Sequence, residues 1–133
     1  MRDLNGKVAW ITGAGTGIGE AGAEALAAAG MQVILSGRRT EPLQAAAERI
    51  GANAAVEALD VSDRDAVAEV AARIIDRYGR VDVLVNSAGI NVKERNWHNV
   101  TLDDWDRVIR IDLDGAFYCC KAVLPTMIDQ GDG

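Results

Sequence analysis

The chain has 133 residues, 49% hydrophobic and 26% charged, with a formal net charge of −6. That length and balance fit one domain with a buried core and exclude a disordered chain. The acidic balance argues against a nucleic-acid partner, no apolar run approaches the ~20 residues that span a bilayer, and the start, Met1-Arg2-Asp3-Leu4-Asn5-Gly6, carries no apolar leader stretch.

In chain order, Lys7-Val8-Ala9-Trp10-Ile11-Thr12 reads as a buried strand. A helix is predicted over 17–29, on the spacing of Ile18, Gly22, Ala25, Leu26 and Ala29, with Gly30 as its stop. Residues 32–36 form the second strand. Pro42 sits in the first turn of the next helix, whose apolar stripe is Leu43, Ala46, Ala47 and Ile50 and whose end is Gly51. A weaker strand covers 55–59. Ser62 and Asp65 form a candidate capping box for a helix with the stripe Val67, Val70, Ile74 and Tyr78, stopped by Gly79. The fourth strand is 81–86. Thr101 caps a long helix toward Met127, with Pro125 kinking or ending it, and residues 129–133 read as a loop.

The order β-α-β-α-β-α-β-α, with nearly continuous apolar strands, predicts an α/β fold with a doubly wound parallel sheet covered on both faces. A dinucleotide-binding domain of this kind has two βαβαβ halves. The chain supplies one half plus a strand and a helix of the second, so an incomplete domain over 1–133 is expected. The two cysteines, Cys119 and Cys120, are neighbours in a helix, where a disulfide is geometrically poor, and with the single His98 they make no zinc site. They read as packing residues, and this cysteine usage agrees with an expected cytoplasmic home.

The chemistry concentrates after the strands. Thr12-Gly13-Ala14-Gly15-Thr16-Gly17-Ile18-Gly19 lies between strand one and helix one, where glycines admit a close phosphate and a helix N-terminus offers N–H groups. The well-placed glycines are Gly13, Gly17 and Gly19; the literal G-x-G-x-x-G ending at Gly22 runs too far into the helix. No Gly-Lys-Ser or Gly-Lys-Thr follows, which excludes a P-loop nucleotidase. At the end of strand two, Ser36-Gly37-Arg38-Arg39 lacks the acid that accepts from a ribose 2′-OH. Two guanidiniums suit a 2′-phosphate, which points to NADP over NAD, although Arg39 also fits a solvated surface residue. Asp60-Val61 follows strand three, where the acid either bonds an adenine amino group beside Val61 or begins a turn. Asn86-Ser87-Ala88-Gly89 follows strand four. Its small residues let the backbone lie near a ribose, and Asn86 is expected to brace neighbouring strands through backbone groups.

Together these residues resemble the classical short-chain dehydrogenase/reductase family. The Thr-Gly-x-x-x-Gly-x-Gly motif spans Thr12 to Gly19, Asp60-Val61 matches, and Asn86-Ser87-Ala88-Gly89 resembles Asn-Asn-Ala-Gly with one change. The resemblance covers nearly the whole chain. It implies a Rossmann-type fold and hydride transfer between a nicotinamide cofactor and a carbonyl or alcohol, with ketones, sugars or 3-oxoacyl thioesters as substrates. By the same resemblance Gly13, Gly15, Thr16, Gly17, Ile18, Gly19, Arg38, Arg39, Asp60, Val61, Asn86, Ala88 and Gly89 belong to the cofactor site. It also implies a homo-oligomer through the helix that starts near Thr101.

Two departures stand out. The family's Tyr-x-x-x-Lys is absent, since Asp82 and Ala122 stand four residues after Tyr78 and Tyr118, so proton-transfer machinery is not expected within these residues. Asp112 occupies the position of the family's catalytic Asn, on a stripe with Trp105, Val108, Ala116, Cys119 and Val123. Such an acid faces either a site or a partner, and a carboxylate accepts hydrogen bonds without donating as an amide does. The alternatives are a non-catalytic nucleotide-binding or assembly module and, last, an adenosylmethionine-dependent methyltransferase, which favours an acid where Gly37-Arg38 stands.

Overall fold

Strand β1 (Val8–Thr12) is buried along its whole length in the computed structural model, which describes residues 3–133. Met1 and Arg2, part of the start read above as lacking a leader, lie outside the described residues. Strands β2 (Gln32–Gly37), β3 (Ala54–Ala58) and β4 (Val83–Asn86) join β1 in a parallel sheet of order β3-β2-β1-β4. The pleat sends alternate residues to opposite faces. Val8 and Trp10 pack with Val67 and Ile74 of α3 (Arg64–Tyr78) and with Cys119 and Val123 of α5 (Gly115–Gln130). Ala9 and Ile11 pack with Ala23 of α1 (Gly17–Ala28) and with Leu43 and Ala46 of α2 (Thr40–Ile50). This is the doubly wound α/β arrangement expected from the strand-helix alternation.

Register aligns the carboxyl ends of the strands. Thr12 lies opposite Ser36 on one side and Asn86 on the other, and Ser36 lies opposite Glu57. The chain order reverses at β1, between β2 and β4, so the loops leaving these strands diverge and open a crevice. At the other end of the sheet, Asp82 ties the first residue of β1. Its Oδ2 accepts from the Val8 N–H at 2.8 Å and from Arg80 Nε at 2.8 Å. Burial pushes the Asp82 carboxyl up, but the hydrogen bonds from Arg80 and Val8 outweigh it and hold the group below its ordinary range.

Three expectations are corrected. Helix α3 is capped by Asp63, whose Oδ1 accepts from Asp65 N at 3.1 Å and Ala66 N at 3.0 Å, and not by Ser62. The Ser62 hydroxyl is drawn to Asp60 Oδ1 at 2.7 Å, which leaves the cap to the next acid. The long helix after Thr101 is not regular: α4 (Leu102–Val108) passes into a π-helical stretch, Ile109–Asp114, before α5 begins. Thr101 does cap it, in a reciprocal box with Asp104. Finally, Pro125 does not end the helix: α5 runs on to Gln130, so residues 129 and 130 are helical, and its far end is docked, with Gln130 Oε1 accepting from Val81 N at 3.1 Å and Nε2 donating to Val81 O at 3.0 Å. Among the described residues no helix is long and apolar enough to cross a membrane.

Candidate functional site

The crevice at the carboxyl ends of the strands is lined by the loop after β1, the β2–α2 junction, the segment after β3 and the segment after β4. It is a cleft of about 160 Å³, open to solvent. Gly13, Gly15, Thr16, Arg38, Arg39, Asp60, Val61, Ala88 and Gly89 all line it, so residues from four separate stretches of sequence converge there.

The glycine loop is held by close backbone contacts. Gly13 has φ +65°, and a Cβ there would sit 2.6 Å from Ala88 N and 2.6 Å from Ser87 O. Gly19 is buried in the first turn of α1, and a Cβ on it would fall 2.3 Å from Gly13 O. These two glycines let the first turn of α1 fold against the loop, and the loop against the end of β4. Gly17 opens α1 at φ +62° with open space around it. Thr16 stands at the N-cap, and its side chain makes no capping bond to the first-turn N–H groups. Gly17, Ile18 and Gly19 do not line the crevice; Ile18 points to solvent at 85% exposure.

The loop is also tied to its neighbours. Ala14 N donates to Ser36 O at 3.1 Å, and the buried Trp10 Nε1 donates to Ser36 Oγ at 2.9 Å. Ser36 thus links β1, the glycine loop and the strand end that delivers Arg38. Thr12 Oγ1 donates to Val85 O at 3.4 Å and accepts from Ala88 N at 3.3 Å. That is the bracing expected of Asn86. The exposed Asn86 side chain instead contacts Cys120 Sγ at 3.4 Å, on the side of β4 away from the crevice lining. Thr12 is the better brace because it is buried between β2 and β4, whereas β4 is an outer strand of the described sheet.

Charge in the crevice is asymmetric. Arg38 and Arg39 are exposed, and among the described residues neither makes an ion pair. Burial raises the Asp60 carboxyl, yet its two bonds from Ser62 and the Arg38 charge lower it further, so it stays ionised. Its Oδ1 accepts from Ser62 N at 3.0 Å, so Asp60 does begin a turn while its carboxylate borders the crevice.

Asp112 lies in the π-helical stretch and is exposed. Its Oδ1 accepts from Ile90 N at 2.8 Å, fixing the segment that carries Ala88 and Gly89. Of the stripe assigned to it, Cys119 and Val123 are buried and Trp105 is 55% exposed. The π turn adds a residue and rotates everything before it relative to Gly115, Cys119 and Val123, the residues that are buried in α5. Ile90 and Ile111 at the crevice wall, with Gly37, Pro42, Leu43 and Leu59, were not singled out from the sequence. Leu59 and Gly37 were findable as strand ends; Ile111 was not. Burial, with Cys120 adjacent, pushes the Cys119 thiol up to about 12, so it packs as a neutral group.

The sequence model of the short chain dehydrogenase family matches residues 7–133. The chain belongs to this family. It is 39% identical over 133 residues to the 3-oxoacyl-[acyl-carrier-protein] reductase FabG of Thermotoga maritima, covering 98% of this chain and 54% of that protein. A metagenomic short-chain oxidoreductase solved in complex with NADP matches at 36% identity and TM-score 0.93, over 99% of this chain and 61% of that one. The 3-ketoacyl-(acyl-carrier-protein) reductase of Brucella melitensis, complexed with NADH, matches at 34% identity and TM-score 0.92, over 96% and 53%. The chain spans about half the length of the curated relatives it matches, 49% and 58% for two of them.

Proposed function

We propose that this short-chain dehydrogenase chain is the cofactor-holding part of an NADP-dependent, cytoplasmic oxidoreductase that interconverts a carbonyl and an alcohol. The observation that carries the reading is the joint arrangement of an uncapped α1 N-terminus, a glycine loop without side-chain bulk, and two arginines outside any ion pair among the described residues, all around one crevice. The loop and helix end suit a pyrophosphate, and Arg38 with Arg39 suits a 2′-phosphate. Asp60 and Val61 suit the adenine end, Ala88 and Gly89 the nicotinamide ribose. The bound nicotinamide would supply or take the hydride. The residues here bind and orient it; Asp112 holds the Ile90 backbone and has no hydrogen to donate while ionised.

Relatives of this fold have been solved with NADP and with NADH, so the preference for NADP rests on Arg38 and Arg39. Titrating the protein with NADPH and NADH tests it. NADPH is expected to bind more tightly, and Arg38→Asp to reverse the order; equal affinities, or tighter NADH, overturn the role given to the arginines. A 3-oxoacyl thioester, a ketone or a sugar is the substrate class proposed. The second reading is a nucleotide-binding module without turnover. A substrate-dependent loss of NADPH absorbance separates the two. Self-association is proposed on the α4–α5 face, where Trp105, Leu113, Phe117, Leu124 and Ile128 are exposed; sedimentation at increasing concentration tests it.

A further inference from the structure

The crevice has one wall whose support comes from the far end of the chain. Val61 lines the crevice and is 6% exposed. Behind it stands Gly115, the first residue of α5, where the π-helical stretch ends. A Cβ built on Gly115 would lie 2.6 Å from Val61 Cγ2, 3.0 Å from Val61 Cβ and 3.2 Å from Val61 O. Gly115 has φ −58° and ψ −44°, ordinary helical angles that any residue adopts. Space is therefore what demands glycine here, at a helix position where glycine is otherwise a poor choice beside alanine. The first atom that would have to give way is the Val61 Cγ2 methyl, which belongs to a β-branched side chain stiff at χ1, with the branch point and carbonyl close behind it.

We infer that Gly115 is a positioning residue for nucleotide binding: the bare helix backbone at the exit of the π turn sets how far Val61 and the adjoining Asp60 project into the crevice. The π turn widens the helix and rotates Gly115, in place of a residue with a side chain, onto Val61. Gly115 itself does not line the crevice, so its effect passes through Val61. This rests on the reading that the crevice takes a nicotinamide dinucleotide with its adenosine half at Asp60-Val61.

The test is Gly115→Ala, with Gly22→Ala as its control. Gly22 lies in α1 with nothing within 4 Å of an added Cβ, so the same methyl there is expected to leave binding unchanged. Gly115→Ala is expected to weaken NADPH and 2′,5′-ADP about tenfold, the scale of an overpacked methyl, while leaving nicotinamide mononucleotide within about twofold. A purely structural defect would weaken all three together. Val61→Ala removes the Cγ2 contact, so Gly115→Ala is expected to cost less affinity in the Val61→Ala background than in the parent. Undiminished 2′,5′-ADP affinity in Gly115→Ala, or equal weakening of all three ligands, overturns the inference. Should Gly115→Ala not fold, Gly115→Ala/Val61→Ala is compared with Val61→Ala: a double variant that folds and binds 2′,5′-ADP nearly as well as Val61→Ala supports the inference, and a tenfold or greater loss between the two, or a double variant that does not fold, overturns it. Failure of the unsubstituted protein to bind NADPH or 2′,5′-ADP at all overturns the underlying nucleotide reading instead.

Discussion

The two sides of the crevice are held by different means. On the β1–α1 side the fixing contacts are backbone against backbone: Gly19 on Gly13, and Gly13 on Ser87 and Ala88, each too close for a Cβ. On the β4–α4 side the fixing contacts are side chains reaching to backbone N–H groups, Thr12 to Ala88 and Asp112 to Ile90. A backbone contact has no softer alternative, because an added atom moves a whole segment. A side-chain hydrogen bond exchanges with water when lost, and its net contribution is modest. The glycine side should therefore be brittle and the other side graded.

The largest effect is expected where that contrast is sharpest. Gly19→Val should destabilise the fold by about 3 kcal/mol through overpacking against Gly13 and abolish NADPH binding, as read by urea unfolding and nucleotide titration. A smaller loss would mean that the loop yields and that the contrast between the two sides is false. Next is Asp82→Asn, which leaves the partly exposed Arg80 without its acid and should cost about 1–2 kcal/mol at pH 7. The folded-state pKa of Asp82 lies below its ordinary value. Its stabilisation is thus complete above about pH 4, the unfolded value, and fades as the pH falls through the lower folded value. The gap between wild type and Asp82→Asn in urea midpoint should shrink on acidification to about pH 2.

How much was legible in the sequence follows the same division. The strands, the glycine loop and the convergence of strand ends were readable because each rests on a residue type that backbone geometry demands: β-branched and apolar runs for buried strands, glycine for close approach. What escaped rests on competition between like residues. Ser62 and Asp63 both suit a cap, and only the pull of Asp60 on Ser62 decides for Asp63. The π turn escaped because one additional residue per turn has no compositional mark. A regular helical phase placed Asp112 on an apolar stripe facing a site or a partner, and the structure sets it at the surface, in the π-helical stretch, against Ile90. Asn86 and Thr12 both suit a brace, and position in the sheet selects Thr12.

Two finer tests sharpen the graded side. Asp112→Ala frees Ile90 N and should weaken NADPH binding about fivefold, close to one hydrogen bond of ~1 kcal/mol; Asp112→Asn keeps an acceptor for that N–H and should restore most of it. If Asn behaves as Ala, the carboxylate charge matters more than the bond. Thr12→Val keeps the shape and removes two long bonds, of 3.4 and 3.3 Å. It should cost only about 0.5 kcal/mol in urea unfolding and be nearly silent in binding.

The indole of Trp10 gives the molecule an internal optical reporter. It is fully buried and donates to Ser36 between β1 and β2, while Trp97 and Trp105, the other two tryptophans, are 82% and 55% exposed. Short-wavelength emission will come from the dry centre of the sheet and long-wavelength emission from the wetted surface. A soluble quencher such as iodide will strip away the second and leave the first. Melting of the sheet and motion of the outer helix then become separable in one cuvette, with no label attached.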